Sequence, residues 1–304
     1  MAAAKTLVCV VGPTAVGKTA AGIRIAQHFQ TAVISADSRQ FYREMTIGTA
    51  KPSDEELASV PHYFINSHGI RDDYSAGDYE RDALALLGEL FSRHDVVVLV
   101  GGSGLFVRAV CRGLDDLPKP LPGIRDRLNT LYLEQGLEPL QAMLKQADPV
   151  YFHEMDSRNP QRIIRALEVF ESTGKPFSYF RQGHIVERPF GVVNVGLNTD
   201  RERLYQRINT RVDAMMAAGL LDEVRSLLPY REKPPLQTVG YAELFAYLDG
   251  TYTLENAVDK IKQHTRRYAK RQLTWFRKDG STVWFAPEDT DGMVAYVSSW
   301  VSPQ

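Results

Sequence analysis

Residues 12–19 combine glycine, lysine and threonine at the spacing of a phosphate-binding loop. In such a loop the backbone N–H groups and the start of the following helix point at phosphate oxygens, because glycine lets the backbone approach the anion. The lysine adds positive charge, and the threonine hydroxyl is a ligand for a phosphate-bound Mg²⁺. The pattern predicts a site for a phosphorylated compound, whose identity it leaves open. The segment reads Gly12-Pro13-Thr14-Ala15-Val16-Gly17-Lys18-Thr19.

A carboxylate is predicted beside this loop. Residues 7–11 and 32–35 are short apolar runs, and Asp37 closely follows the second. Ligands of open parallel sheets gather beyond the carboxyl ends of the strands, so we expect Asp37 on the same rim as the loop. Position alone leaves two interpretations open, a functional carboxylate and an Asx turn or helix cap.

A second glycine-rich turn, at residues 101–104, follows the apolar run 96–100. It either brings backbone close to a ligand or forms a tight strand-to-helix connection. Many P-loop NTPases place an aspartate at the end of this strand to organise Mg²⁺. Here the strand ends in Gly101-Gly102. The ATPase interpretation is weakened, and Asp37 becomes the leading carboxylate on the rim.

Apolar runs that alternate with helix-like segments predict an α/β fold, with a P-loop-type parallel sheet flanked by helices. No strand candidate interrupts the helix-like segments within residues 117–188. We therefore predict an α/β core formed by residues 1–116 and 189–304, with a small all-helical insertion at 117–188. The strands are expected at 7–11, 32–35, 62–65, 96–100, 192–197 and 282–285.

Positive charge is concentrated near the C-terminal end of the chain. The net charge is −1, which argues against indiscriminate binding to nucleic acid, but residues 260–278 contain eight Lys or Arg and no Asp or Glu. We predict a long basic helix at 253–276. Arg266, Lys270 and Arg277 share one face of it, interleaved with aromatic residues, and this pattern favours a polyanion partner over random surface charge.

Arginines at helical spacing occur in two further segments. Arg162 and Arg165 share a face of a predicted insertion helix, which is either a solvated surface or a phosphate contact. Arg207 and Arg211 lie one turn apart, and they either reach a diphosphate or pair with acidic residues.

The composition is that of a soluble globular protein, with 44% hydrophobic and 24% charged residues. No apolar run approaches the roughly 20 residues that span a bilayer. The chain enters its first apolar run without space for a signal peptide, so we expect a cytoplasmic protein without membrane contact. The histidines and cysteines show no metal-ligand spacing. Nothing in the sequence demands more than a monomer.

Taken together, the motifs resemble those of the tRNA dimethylallyltransferase family, also called tRNA isopentenyltransferases. The matching segments run in order over nearly the whole chain. Ser103 stands where threonine is more usual in the family, and residues 236–238 lack an arginine that many relatives carry. The matching segments are 12–19, 35–40, 48–52, 101–105, 159–168, 239–241 and 266–277.

The resemblance implies transfer of a dimethylallyl group from dimethylallyl diphosphate to N6 of adenosine 37, in the anticodon stem-loop of tRNA. Residues 12–19 would bind the departing diphosphate, with Mg²⁺ ligated by Thr19. Lys18 and Arg211 would neutralise its charge. Asp37 would take the proton of the N6 amine as general base.

The resemblance also implies RNA contacts, to which the basic helix adds its own. Two alternatives remain open. One is a P-loop kinase of a small molecule, with Asp37 as base and the insertion as a lid. The other is a P-loop module that binds RNA without transfer. The expected RNA-binding residues are Asp37, Ser38, Arg39, Gln40, Ser103, Arg125, Gln161, Arg162, Ile163, Ile164, Arg165, Arg266, Lys270 and Arg277.

Overall fold

The computed structural model describes residues 5–183 and 185–301. Within these residues six strands form one sheet in the order β3-β2-β4-β1-β5-β6, and all neighbouring strands are parallel. The predicted α/β class is confirmed. The strands are β1 (Thr6–Val11), β2 (Val33–Ser35), β3 (His62–Tyr63), β4 (Val96–Gly101), β5 (Gly191–Leu197) and β6 (Thr282–Phe285).

The central strand β1 is buried on both faces. Leu7 and Cys9 pack into one apolar cluster, and Val8 and Val10 pack into another on the opposite face. Alternating side chains of a strand point to opposite faces, so a strand with helices on both sides must be apolar throughout. This explains the continuous apolar run in the sequence.

The strand register brings three loops to one edge of the sheet. Val11, the last residue of β1, pairs with Gly101 of β4. Ser35, the last residue of β2, pairs with Val100. Strands β1, β2 and β4 therefore end at nearly the same level, and the segments that follow them leave the sheet side by side.

Helices cover the two faces of this sheet. Helix α3 begins at a capping box in which Ser75 and Asp78 exchange side-chain and backbone hydrogen bonds, and it buries Ala83, Leu87 and Leu90. Two helices were not predicted, α2 and α14. The former is a single exposed segment, and the latter buries only Met293 and Val297. The helices of this unit are α1 (Lys18–His28), α2 (Asp54–Ser59), α3 (Ala76–Phe91) and α4 (Gly104–Arg112), then α10 (Arg201–Ala217), α11 (Leu220–Ser226), α12 (Tyr241–Leu248), α13 (Leu254–Arg277) and α14 (Thr290–Val301).

The chain divides into two compact units. One contains the described residues of Met1–Arg112 and Glu187–Gln304, and the other is Gly113–Val186. The second unit is helical and has its own apolar core, around Leu128, Leu144 and Ile163. Its helices are α5 (Ile124–Gln135), α6 (Glu138–Ala147), α7 (Pro149–Glu154), α8 (Pro160–Thr173) and α9 (Phe177–Phe180).

Two buried acids organise the helical unit. Asp148 caps α7 by accepting a hydrogen bond from the Tyr151 amide at 3.0 Å, and it accepts two more from Ser178. Glu168 is fully buried and forms a bidentate pair with Arg125, at 2.6 and 2.9 Å. In the described part of the chain, no helix is both long and apolar enough to cross a membrane.

Candidate functional site

The phosphate-binding loop connects β1 to α1, as predicted. Gly12 has φ 146°, and a Cβ atom there would lie 2.6 Å from the backbone oxygen of Leu197. Gly17 has φ 112° and caps α1 in the left-handed conformation. Both positions require glycine, one because of close packing and both because of backbone conformation. The loop therefore presents its backbone N–H groups at the start of a helix.

Lys18 is held against the loop it belongs to. Its Nζ atom donates a hydrogen bond to the Pro13 carbonyl at 2.7 Å. Burial lowers the pKa of Lys18 to about 8, and Arg211 nearby lowers it further, although Asp37 acts in the opposite direction. The site thus holds a cation that a bound anion would stabilise.

Asp37 serves both interpretations that its position left open. Its Oδ1 atom accepts a hydrogen bond from the amide of Arg39 at 2.9 Å, which is an Asx turn. Within residues 5–183 and 185–301, no hydrogen bond engages Oδ2. One oxygen fixes the side chain, and the other remains for a substrate.

The neighbours of Asp37 join β2 to β4 and to the segment after α1. Ser103 Oγ accepts a hydrogen bond from the Ser38 amide at 3.1 Å. Gln40 accepts from the Ser35 hydroxyl and donates to the carbonyl oxygens of Thr49 and Ala50. The predicted rim residues therefore form one connected polar network around Asp37.

A cavity of about 350 Å³, here called the loop cavity, opens beside residues 14–20. Cations outnumber carboxylates among its described lining residues. A cavity with this balance attracts an anion, and its loop N–H groups and lysine suit phosphate oxygens. The charged lining residues are Lys18, Lys51, Arg207, Arg211, Asp37 and Glu56.

Arg207 and Arg211 both line the loop cavity. Burial is the largest cause that lowers the pKa of Arg211, and the charge of Arg207 adds to it. Two cations one turn apart are retained in this partly dehydrated place, which favours the diphosphate interpretation over pairing with acids.

A larger cavity of about 740 Å³, here called the helix cavity, lies against α13. One face of α13 lines it at spacings of three and four residues. Residues 237–243 and 102–106 contribute further walls. The lining mixes aromatic rings, cations and hydrogen-bonding groups, as nucleotide sites do. The lining residues of α13 are Ile261, His264, Thr265, Tyr268, Arg271, Gln272 and Trp275.

The two cavities adjoin at Asp37. All of the lining residues belong to the same unit of the chain. A group bound in one cavity can therefore meet a group bound in the other beside the Asp37 carboxylate. The residues that line both cavities are Thr14, Asp37, Thr49, Ala50, Gly102 and Arg211.

Sequence reasoning missed the side chain that connects α13 to the loop. Gln272 is buried; its Oε1 accepts from the Thr14 amide at 2.8 Å, and its Nε2 donates to the Gly102 carbonyl at 2.8 Å. A Cβ atom on Gly102 would lie 2.3 Å from Nε2. The signal was present, since Gln272 is the uncharged polar residue inside the basic segment, but nothing in the sequence named its partners.

Glu223 was also missed. Its carboxylate accepts hydrogen bonds from the amides of Ile47 at 2.7 Å and Gly48 at 3.0 Å, and from the Tyr241 hydroxyl at 2.6 Å. The ring of Tyr241 lies against Gly48, where a Cβ atom would be 2.6 Å from it. These contacts hold the segment that carries Thr49 to the border between the cavities.

The residues expected to contact RNA fall in different places. Ser38, Arg39 and Ser103 line the helix cavity, and Gln40 lines the loop cavity. The basic residues predicted on α13 lie beside the cavity-lining face rather than on it. Arg266 donates to Asn209, Lys270 is exposed, and Arg277 lies over the ring of Trp284.

The helical unit presents part of its expected set on the surface. Gln161 and Arg162 are exposed, whereas the side chains of Ile163 and Ile164 are fully buried in the core of that unit. Arg165 donates to the carbonyl of Pro118 at 3.3 Å, and Arg125 is tied to Glu168 while almost half exposed. Any side-chain contact from this segment must come from its polar members.

The family model described as IPP transferase matches residues 40–279. This chain belongs to the IPP transferase family. Family members of known name include a tRNA dimethylallyltransferase from Christiangramia forsetii, which is 50% identical over 297 residues that cover 97% of this chain and 98% of that protein. A tRNA dimethylallyltransferase 1 from Bacteroides thetaiotaomicron is 48% identical over 292 residues, 96% and 95% of the two chains.

A solved member of the IPP transferase family has the same fold. The crystal structure of the tRNA isopentenylpyrophosphate transferase from Bacillus halodurans superposes with a TM-score of 0.71 at 37% identity, over 98% of this chain and 97% of that one. A eukaryotic dimethylallyltransferase acting on tRNA gives 0.78 at 24% identity, over 97% of this chain and 77% of that one, and supports the fold.

Proposed function

We propose that this IPP transferase family member transfers a dimethylallyl group from dimethylallyl diphosphate to N6 of adenosine 37 in the anticodon stem-loop of tRNA. The observation that carries this proposal is the border between the two cavities, where Asp37 and Arg211 line both. A diphosphate site and a nucleotide site that meet at a carboxylate are what a prenyl transfer to an amine requires.

The loop cavity would bind the diphosphate. Residues 12–19, Pro13 among them, would surround it with N–H groups, and Lys18 and Arg211 would supply positive charge. The allylic carbon gains positive charge as its bond to oxygen breaks, so the rate depends on stabilising the leaving diphosphate. Each donor placed for that purpose is typically worth about 3 kcal/mol in a site that excludes water.

The helix cavity would receive the adenine. The base must leave the stacked loop of the RNA, at a cost of a few kcal/mol that protein contacts offset. Tyr268 and Trp275 offer rings for stacking, and Arg39 and Arg271 offer positive charge to the RNA backbone. Exposed Gln161 and Arg162 of the helical unit are proposed to contribute further RNA contacts.

Asp37 would accept the proton of the amine. The N6 lone pair is delocalised into the ring, so the amine becomes a competent nucleophile only as its proton is withdrawn. In the proposed step N6 bonds to the allylic carbon, the carbon–oxygen bond breaks, the proton passes to Asp37 and diphosphate departs. Oδ2 is the oxygen that remains for this task.

The residues present suit Mg²⁺ bound together with the substrate. Thr19, Asp37 and Glu56 supply oxygen ligands along the loop cavity, which is the donor type that Mg²⁺ prefers. In the described residues no group of three or more His, Cys, Asp or Glu side chains could hold a metal alone. Thr19 would therefore hold the ion jointly with diphosphate oxygens, and the ion would neutralise charge on the leaving group.

The kinase alternative receives less support. Strand β4 ends in Gly101, where a Cβ atom would lie 2.4 Å from the Ala36 carbonyl, so an aspartate cannot replace it without moving β2. An RNA-binding module without transfer would leave the loop cavity and its buried lysine unused.

Mass spectrometry of tRNA tests the proposal. The protein is incubated with unmodified tRNA and Mg²⁺, together with either dimethylallyl diphosphate or ATP. We expect the RNA to gain one five-carbon prenyl unit with the first compound only, and nucleoside analysis to place it on N6. Consumption of ATP with no change in RNA mass would support the kinase. Tight RNA binding without either reaction would support the binding module.

A further inference from the structure

A histidine and a glutamate form a pair in the wall of the helix cavity, outside the residues used above. His264 Nδ1 lies 2.5 Å from Glu243 Oε1. Glu243 is buried, with 7% of its side chain exposed, whereas 36% of the His264 side chain is exposed. His264 and Glu243 both line the helix cavity. The carboxylate is thus enclosed, and the imidazole reaches the open space.

The second oxygen of Glu243 is also occupied. Oε2 accepts a hydrogen bond from the Gly240 amide at 2.8 Å, which closes the first turn of α12. The carboxylate therefore receives donors on both oxygens. A carboxylate that accepts from an imidazole places the proton on the facing nitrogen, so Nδ1 carries it and Nε2 keeps a lone pair.

His264 shares its helix face with the residues that make the cavity suitable for a nucleotide. Tyr268 follows one turn later, and Arg271 follows one turn after that. We infer that Nε2 of His264 accepts a hydrogen bond from the RNA substrate inside the helix cavity, and that Glu243 fixes the tautomer that makes this contact. His264 is thus an RNA-binding residue, and Glu243 is its positioning residue.

The donor on the RNA side is a ribose 2′-hydroxyl or the amino group of a base next to the acceptor adenine. Both present an O–H or N–H to a ring nitrogen, and both are exposed when a loop nucleotide is unstacked. The inference rests on the proposed function, because it needs RNA in this cavity, but it can be tested by binding alone.

Substitution of Glu243 gives the sharpest test. Glu243→Gln leaves one oxygen, which the Gly240 amide requires because a backbone amide cannot exchange its proton for a lone pair. The side-chain amide group of the glutamine then faces Nδ1 as a donor, and the proton of His264 must move to Nε2. Nε2 becomes a donor, and the contact with the RNA is lost without removal of the ring.

The affinity of an anticodon stem-loop is measured without dimethylallyl diphosphate for the wild type, His264→Ala, His264→Gln and Glu243→Gln. We expect His264→Ala and Glu243→Gln to weaken binding about five- to tenfold, as loss of one hydrogen bond does. His264→Gln keeps an acceptor oxygen and should recover part of the affinity. Gln263→Ala, on the exposed neighbouring face of α13, is the matched control and should bind as the wild type does.

Nitrogen NMR of labelled histidine checks the tautomer. The wild type should show the proton on Nδ1, and Glu243→Gln should show it on Nε2. Thermal unfolding of each variant shows whether a loss of affinity reflects a loss of folded protein. Unchanged affinity in folded His264→Ala, or a doubly protonated ring in the wild type at the assay pH, would overturn the inference.

Stem-loops with single 2′-deoxy substitutions separate the two donors. If one substitution weakens the wild type and has no further effect on His264→Ala, the donor is that hydroxyl. If none does, stem-loops with single bases that lack the amino group should show the same pattern. If neither series does, the inference fails. If the wild type binds RNA in this way but transfers no prenyl group, the proposed function fails alone.

Discussion

At the scale of single residues, the account depends on how Asp37 divides its two oxygens. Oδ1 holds the turn by accepting from the Arg39 amide, and Oδ2 faces the place where the two cavities meet. A substitution that keeps the turn while removing the base is therefore available. Asparagine retains an oxygen for the Arg39 amide but cannot take a proton at neutral pH.

We predict that Asp37→Asn lowers single-round turnover by about 100-fold or more, within the range of general-base loss, and changes RNA affinity little. Asp37→Ala should lower turnover as much and also loosen residues 38–40, which lose their turn. Quenched-flow prenyl transfer and stem-loop binding measure the two effects. Near-normal turnover in Asp37→Asn would remove this residue from the mechanism.

Lys18 makes prenyl transfer sensitive to alkaline pH. Its pKa is lowered to about 8 chiefly by burial, so the free enzyme loses this cation as pH rises through that value. We predict that kcat/KM for dimethylallyl diphosphate is flat below about pH 8 and falls above it. Bound diphosphate stabilises the protonated form, so the fall in kcat should lie at higher pH.

Lys51 provides the control for this profile. Burial also lowers the pKa of Lys51 to about 8, but its Nζ atom is engaged by the Tyr42 carbonyl and Asn66 at 2.6 Å each. Lys18→Arg should lose the alkaline fall in kcat/KM, because a guanidinium stays charged over this range. Lys51→Arg should retain it. The reverse assignment would contradict the role given to Lys18.

At the scale of elements, helix α13 has two working faces. One lines the helix cavity through Tyr268 and Trp275, and the adjacent one carries Arg266 and Lys270. Gln272 attaches the first face to the phosphate-binding loop and to the end of β4. Movement of α13 on RNA binding would therefore reach the diphosphate site directly.

We predict that Gln272→Glu raises KM for dimethylallyl diphosphate about tenfold or more. The carboxylate cannot donate to the Gly102 carbonyl, and leaving a buried partner unsatisfied costs about 1–3 kcal/mol. It also places negative charge beside the diphosphate. Gln263→Glu adds the same charge on the exposed face of α13 and should leave KM unchanged. Equal effects of the two variants would refute the connection.

The sequence predicted the elements whose patterns are local. The apolar run before Gly12 and the glycine and lysine spacing predicted β1, the loop and α1, because these signals lie within a few residues of one another. Helix α14 was missed because only Met293 and Val297 mark its buried face.

The contacts that shape the site are long-range, and this is why they could not be predicted. Gln272 meets Thr14 across 258 positions in the sequence, and Glu223 meets Gly48 across 175. No spacing rule encodes such pairs. The division of α13 into a cavity face and a basic face likewise depends on which side packs on the sheet. Charge alone selected Arg266, Lys270 and Arg277, and the cavity face was not anticipated.

At the scale of the whole molecule, attraction to RNA must be local. The chain has 36 Lys and Arg against 37 Asp and Glu, so its total charge provides no attraction. The basic face of α13 is the place where a polyanion would gain energy, and each phosphate contact there would release counterions.

We predict that Arg266→Glu combined with Lys270→Glu weakens tRNA binding and flattens its salt dependence by about one unit of slope per lost phosphate contact. Arg24→Glu on the exposed side of α1 changes the total charge in the same direction and should leave the slope unaltered. A slope that does not change in the double variant would assign the basic face to another partner.

The central claim is that a diphosphate and an adenine meet at the Asp37 carboxylate. A crystal structure with an anticodon stem-loop and an unreactive thio analogue of dimethylallyl diphosphate tests it most directly. The account predicts the diphosphate on residues 12–19, and Asp37 Oδ2 within about 2.6–3.2 Å of the N6 atom of adenosine 37. An N6 atom beyond hydrogen-bond reach of Asp37, with another group of the protein at that distance, would contradict it.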